Sequence, residues 1–248
     1  MPEFHPFLPF LVAAILAGFT KGKVRSAIML LAPVVGGLHL LGVESGTVVE
    51  YQLMNLNLMP YRVDDLSLIF GYIFHIGAFI AILYSIHLKD TLQHVSGLLY
   101  AGSAVGAVFA GDLFTLFIFW EILGLSSAFL VWASRDEKSV SIGIRYLVFQ
   151  VLSGVLLMAG AIWYWLDTGS LMFNEIGIDA AGAWLIFFAF GIKCGFPFLH
   201  NWITDGYPAS TATGTVFLCC FTTKVAVYAM ARGFPGTEML IYIGAFMA

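Results

Sequence analysis

The chain has 248 residues, 60% of them hydrophobic and only 10% charged, with 11 Lys and Arg, 15 Asp and Glu and a formal net charge of -4. Soluble domains run near about 25% charged and about 45–50% apolar, so this chain has too few polar side chains to cover a water-exposed globule and reads as a membrane protein. Disordered, collagenous and nucleic-acid-binding classes are excluded with it, because there is no basic field for phosphate, while 23 Phe, 10 Tyr and 6 Trp suit lipid contact and interfacial belts.

At about 20 apolar residues per helical crossing, the length allows roughly nine crossings and no sizeable extramembrane domain. The N-terminus, Met-Pro-Glu-Phe-His, has no basic n-region, so the first apolar run reads as a retained helix rather than a signal peptide. Apolar runs predict spans near 6–20, 25–43, 65–86, 92–110, 113–133, 142–166, 181–200 and 209–231. A ninth starts near 238, where Met239 to Ala248 covers about half of a roughly 30 Å hydrocarbon core at about 1.5 Å per residue. The expected fold is an all-α polytopic bundle of about eight full transmembrane helices plus the start of a ninth. Between the second and third spans, Gly46 to Arg62 is too polar to cross and reads as a short outer hairpin. On the fourth span Gly102, Gly106 and Ala110 recur at helix-packing spacing, which fits close packing inside the bundle.

Orientation follows from the loops, because Lys and Arg accumulate on the cytoplasmic side. With the N-terminus outside, the inner connections carry Lys21, Lys23, Arg25, Lys89, Arg135, Lys138 and Arg145, and the outer ones hold only Arg62 and Arg232. Cys194, Cys219 and Cys220 lie in apolar segments without metal-ligand spacing and read as small buried hydrophobes. No phosphate loop, metal cluster, cofactor signature or nucleophile constellation is present, so enzymatic redox chemistry within this chain is not expected, and neither is a bound cofactor or metal.

Three charges remain inside spans: Glu121, Lys193 and Lys224. Glu121 is nine residues beyond Asp112, about 13 Å into the bilayer and too deep to snorkel. Each such charge costs about 2.5–3.5 kcal/mol at a helix centre. Two lysines sharing one acid leave at least one without a full-time partner. Burial disfavours a lysine's charge and a nearby carboxylate favours it, so making and breaking such a pair would move a proton on and off the amine. The structural alternative is a neutralising pair and nothing more. Gly191, Gly195 and Pro197 surround Lys193 and predict a seventh helix broken at mid-depth, tolerable only against protein or a watery cavity. His200, seven residues on, would share the lysine's face if the helix survived Pro197; proton relay and an interfacial hydrogen bond are both open to it. His39 and His75 read as packing residues, and Asp112 as the cap of the fifth helix. Asp205, in the turn after the seventh span, either caps or guides protons at the inner mouth.

Glu121 in Phe-Trp-Glu-Ile-Leu, Lys193 ahead of Phe-Leu-His-Asn-Trp, and Lys224 in Thr-Thr-Lys-Val-Ala-Val-Tyr-Ala together resemble the proton-conducting antiporter-like family. That family is shared by Mrp-type sodium/proton antiporters, membrane-bound hydrogenases and respiratory complex I. The likeness covers about residues 65–248, and the flanks Phe-Ala-Gly-Asp-Leu-Phe-Thr-Leu-Phe and Ile-Arg-Tyr-Leu look most like the D subunit of the Mrp type. The resemblance implies an ion pair between Glu121 and Lys193, onward proton transfer by Lys224, and a supporting role for His200. It implies inverted five-helix repeats, the first at about 92–231 within a core at 65–248, preceded by a two-helix segment and outer loop at 1–64. Thr204 stands where the family usually has Pro. The second repeat is missing, so the expectation is a truncated or split subunit completed by another polypeptide, or a fragment unable to conduct alone. Expected partners are the bilayer and other subunits of a multisubunit antiporter in a bacterial inner membrane. The alternatives are the membrane arm of a redox-driven complex and a non-conducting assembly scaffold.

Overall fold

The protein is described by a computed structural model covering residues 4–54 and 56–247. Two helices, α1 (Leu8–Phe19) and α2 (Gly22–Leu40), lead into an antiparallel hairpin of β1 (Val48–Leu53) and β2 (Leu56–Arg62). Then follow α3 (Asp65–Ser85), α4 (Thr91–Phe109), α5 (Leu113–Trp132) and the long α6 (Glu137–Thr168). The remaining helices are α7 (Ala183–Cys194), α8 (Asn201–Ala209), α9 (Ala212–Cys220), α10 (Thr222–Gly233) and α11 (Met239–Met247). The hairpin falls where the polar Gly46–Arg62 stretch places it, pairing Val48 with Arg62 and Leu53 with Leu56.

The expected count of eight full spans and a ninth needs correcting. Among the described residues, five helical stretches are long and apolar enough to cross a membrane: α2, α3, α5, α6 and the combined run Ala212–Gly233. α1 and α7 have 12 residues each, about 18 Å of helix, short of a roughly 30 Å core. α4 has the length but carries Gln93, His94, Ser96, Tyr100 and Ser103. All five are buried, because α4 is the central helix, packed against α1, α3 and α5 and nearly hidden from lipid. A helix surrounded by protein has no need to be apolar all round, and a hydropathy count misreads it. Its small residues work inside the bundle: a Cβ at Gly102 would come 2.6 Å from the Phe10 Cβ of α1, and one at Gly106 would overlap the Phe119 ring of α5.

Charged side chains at one end of the bundle lock its loops. Asp64 caps α3 by accepting from the Ser67 N–H at 2.9 Å, while its own N–H donates to Ser67 Oγ at 2.8 Å. The same carboxylate takes Arg232 Nη2 at 2.7 Å and Arg62 Nε at 3.5 Å. Arg62 also donates to Asn174 Oδ1 at 2.7 Å and to the Phe173 carbonyl at 2.6 Å, and Arg232 Nε to the Tyr228 hydroxyl at 2.8 Å. Burial alone would raise the Asp64 carboxyl, but the bonds from Arg232 and the Ser67 N–H hold it below the usual carboxylate range. Nearby, the fully buried Asp112 accepts from Thr115 N–H at 2.7 Å, Thr115 Oγ1 at 2.6 Å and Met59 N–H at 2.8 Å. It caps α5 as expected and also pins β2 to that helix.

Candidate proton-relay site

Lys193 is fully buried near the end of α7. That helix sits between two left-handed glycines, Gly182 at φ 74° and Gly195 at φ 78°. Both positions are closed to a side chain: a Cβ at Gly182 would overlap the Gly160 carbonyl of α6, and one at Gly195 would lie 2.6 Å from Ile203. The helix therefore stops just past the lysine, as the Gly and Pro spacing predicts. Carbonyls left at the break are taken locally: the Phe196 N–H reaches Gly191 O at 3.0 Å, and Trp202 Nε1 donates to Ile192 O at 2.8 Å.

The Lys193 ammonium donates to the Trp120 carbonyl of α5 at 2.6 Å and sits 4.5 Å from the centroid of the same residue's ring. The indole is fixed in turn, since Trp120 Nε1 donates to Ser153 Oγ of α6 at 2.9 Å and Ser153 Oγ to the Ala189 carbonyl of α7 at 2.6 Å. One residue after Trp120, Glu121 faces α6 over Gly154, where a Cβ would overlap its Oε1. That oxygen is buried and has no hydrogen-bond partner. No Glu121 oxygen comes within the 4.0 Å of an ion pair with Lys193, although the two are near enough to feel each other's charge. The direct pair implied by the resemblance is open in this conformation: a backbone carbonyl holds the ammonium and the carboxylate stands by.

Gln150 of α6 completes the site. It is buried, and neither its Oε1 nor its Nε2 has a partner. It meets Lys193 across Gly124, whose Cβ position would lie 3.6 Å from Lys193 Nζ and 3.0 Å from Gln150 Cβ. A carboxylate oxygen and both ends of an amide, all without partners, gather around one lysine, a concentration of unsatisfied polar atoms that a buried site rarely tolerates.

From Gly124 a line of hydroxyls crosses the bundle. Ser127 Oγ donates to the Gly124 carbonyl at 2.7 Å, Tyr146 OH donates to Ser127 Oγ at 2.9 Å, and the Tyr146 hydroxyl also comes up against Thr222. Thr222 shares a 2.6 Å bond with the Tyr100 hydroxyl, which accepts the Thr222 N–H at 2.9 Å. Thr222 opens α10 just after a second break, at Phe221, which the sequence pattern did not announce with Gly or Pro. Lys224 caps this break, donating to the Cys219 carbonyl at 2.6 Å and to Thr223 Oγ1 at 3.1 Å, with its side chain exposed on the surface of the chain.

Glu121, Lys193 and Lys224 all fall within helices, the first next in chain to the Trp120 that holds Lys193 and the third two residues beyond Thr222. The helix does not survive Pro197, so His200 shares no face with Lys193; it is exposed at the start of α8 and forms no side-chain cap. Asp205 lies inside α8, not in a turn, and pairs with Arg145 of α6 at 3.4 Å, both half exposed. His75 bonds the Gly71 carbonyl at 2.7 Å and His39 stacks on Phe4, in line with packing, though the Nε2 of each is buried without a partner. Gln150, Trp120, Tyr100, Tyr146 and Thr222 were missed because they carry no formal charge. The Gln inside Val-Phe-Gln-Val-Leu was the one visible signal.

Residues 110–246 match the family model described as NADH:quinone oxidoreductase/Mrp antiporter, transmembrane. Among curated relatives, the D subunit of the Na(+)/H(+) antiporter of Bacillus subtilis (strain 168) is 25% identical over 262 aligned positions, covering 96% of this chain and 53% of the relative. Among solved structures, a chain of respiratory complex I from Thermus thermophilus superposes with TM-score 0.80 at 20% identity, covering 97% of this chain and 55% of that one. A chain of the Mrp complex from Dietzia sp. DQ12-45-1b gives TM-score 0.77 at 23% identity, covering 92% and 27%. At such identities the structural likeness speaks for the fold. The chain spans about half the length of the Bacillus relative.

Proposed function

Because the chain belongs to the NADH:quinone oxidoreductase/Mrp antiporter transmembrane family, we propose that it is a proton-translocating subunit of a multisubunit sodium/proton antiporter. The observation that carries this reading is a buried ammonium held by a carbonyl rather than a carboxylate, with the unpartnered Glu121 and Gln150 around it. A structural ion pair would be closed; this one is open. Arrival of a proton on Glu121 removes its negative charge, which eases release of a proton from Lys193. The amine then recaptures one when the carboxylate is bare again. Water between Gln150 and Lys193 and the line Ser127, Tyr146, Thr222 and Tyr100 would carry the released proton to the second helix break and Lys224. Broken helices facing polar sites at mid-depth are how many transporters place their pathways.

On this reading residues 65–248 form the conducting core, with one repeat at about 92–231, residues 1–64 are peripheral, and the N-terminus lies outside a bacterial inner membrane. Lys224 is where a second repeat of the family's kind would take over the proton, and the other antiporter subunits complete the assembly. A second reading, a membrane arm driven by redox chemistry, is favoured by the fold shared with the complex I chain. Sodium-pulse and quinone-reduction assays on vesicles carrying the assembly separate the two. In those vesicles, Glu121→Gln should stop proton flux while detergent gels show intact complexes. Unchanged flux removes the relay, and lost assembly with normal flux per complex makes the chain a scaffold.

A further inference from the structure

Far from the relay, a cavity of about 640 Å³ opens between the α1–α2 and α3–α4 connections, lined among others by Lys21, Lys23, Arg25, Lys89, His87 and His94. Its floor is Arg25, only 5% exposed. The guanidinium donates from Nε to the Thr20 carbonyl at 2.7 Å, from Nη1 to the Lys89 carbonyl at 3.3 Å and from Nη2 to Thr91 Oγ1 at 2.9 Å. All three acceptors are neutral. A guanidinium has five N–H donors and stays charged at any physiological pH, so its charge and two of its donors are unmatched. Among the described residues, ion pairs join Arg62 and Arg232 to Asp64, Arg135 to Asp90 and Arg145 to Asp205, and none reaches Arg25. Asp90, the acid beside the cavity, is already engaged, capping α4 through the Leu92 N–H at 3.2 Å and holding Arg135 at 3.2 Å.

A buried cation without a counter-ion is costly, and three lysines at the same opening raise the cost further. α2 starts here with Lys21 at its N-cap and no side-chain cap, adding unpaired N–H groups and the positive end of a helix dipole. What is missing is an anion with several oxygen acceptors. The cavity lies between the connections that join α1 to α2 and α3 to α4, where headgroups would stand beside helices that cross a bilayer. Its lining includes Ile86 and Leu88, and the adjoining turn of α3 exposes Leu83 and Tyr84 outward. A phosphate in the basic pocket would have apolar surface beside it for an acyl chain.

We propose that this cavity binds the phosphodiester headgroup of an anionic phospholipid, which supplies the counter-charge for Arg25 and ties the two connections together. Free inorganic phosphate shares the recognising chemistry but has no use for the apolar flank.

The test uses the full chain in nanodiscs of mixed phosphatidylglycerol and phosphatidylcholine, read by native mass spectrometry. Wild type should retain a phosphatidylglycerol molecule. The triple variant Lys21→Gln, Lys23→Gln, Lys89→Gln should hold it about a hundredfold more weakly, at roughly fivefold per lysine near an anionic surface, and wild-type retention should fall with added salt. Competition by inorganic phosphate, against chloride at the same ionic strength, distinguishes the sources: no displacement beyond that of chloride assigns the site to lipid, whereas displacement by phosphate specifically assigns it to phosphate and overturns the lipid claim. Thermal unfolding with and without phosphatidylglycerol guards against a poorly folded variant, since the lipid should stabilise wild type and leave the triple variant unmoved. Equal retention of phosphatidylcholine, or wild-type retention by the triple variant, overturns the proposal.

Discussion

Two groups of charges in this molecule show opposite habits. At the hairpin end, Asp64, Arg62 and Arg232 form a closed latch in which the carboxylate takes both arginines and the arginines reach Asn174, Phe173 O and Tyr228. In the bundle interior, Glu121, Lys193 and Gln150 lie together, yet one carboxylate oxygen and both amide atoms have no partner. The first group is bonded through and holds three segments in place. The second is left unfinished in a setting where unfinished polar groups are expensive, which is the condition under which a proton can be taken up and passed on. The same contrast explains the two exceptions to the charge bias of the loops: Arg62 and Arg232 sit on the sparsely basic side because they are partners of Asp64, not because they set topology.

The largest expected effect breaks the open site. Glu121→Gln, Lys193→Ala or Lys193→Met should each cut proton flux by about a hundredfold or more, the scale of a lost proton-transfer group, with complexes still assembled on detergent gels. At the latch the effect should fall on stability. Asp64→Ala strips a cap and the counter-charge of two arginines, and should cost about 2–3 kcal/mol in thermal or denaturant unfolding, with flux per assembled complex unchanged.

A smaller effect sharpens the route between the lysines. Thr222→Val keeps the shape of the helix start but removes the hydroxyl shared with Tyr100, and should slow flux roughly tenfold without loss of assembly, a fraction of what a proton-transfer group contributes. Wild-type flux in this variant would mean that protons bypass the hydroxyl line. The latch should also show itself in acid. Asp64 titrates below its ordinary range when folded, so its contribution is fully present above the unfolded value of about 3.9 and is lost as pH falls through the lower folded value. Unfolding temperature followed from neutral pH downward should decline more steeply in wild type than in Asp64→Asn. Least of all should Asp205→Asn matter, since its half-exposed pair with Arg145 is worth under about 1 kcal/mol.

Much of this was legible in the sequence, and the limits have physical causes. Polarity between Gly46 and Arg62 gave the hairpin, and Gly191, Gly195 and Pro197 gave the break after Lys193. Subtracting loop charges gave Glu121, Lys193 and Lys224. The apolar run at 92–110 gave α4, but not its central place in the bundle, because its serines, Gln93 and His94 are buried by neighbours that no single-segment measure can see. The break at Phe221 has no Gly or Pro to announce it; it depends on Tyr207, Tyr100 and Lys224 arriving from elsewhere to take the Leu218 and Cys219 carbonyls. A face shared by Lys193 and His200 required the helix to survive Pro197, and Gly195 ends it first.

The most direct test of the central claim is proton flux per assembled complex in sealed vesicles, compared between wild type, Lys193→Ala and Asp64→Ala. An open relay site predicts that Lys193→Ala falls to the background of protein-free vesicles while Asp64→Ala, though less stable, matches wild type. Flux in Lys193→Ala equal to wild type, or an equal loss in both variants, would contradict it.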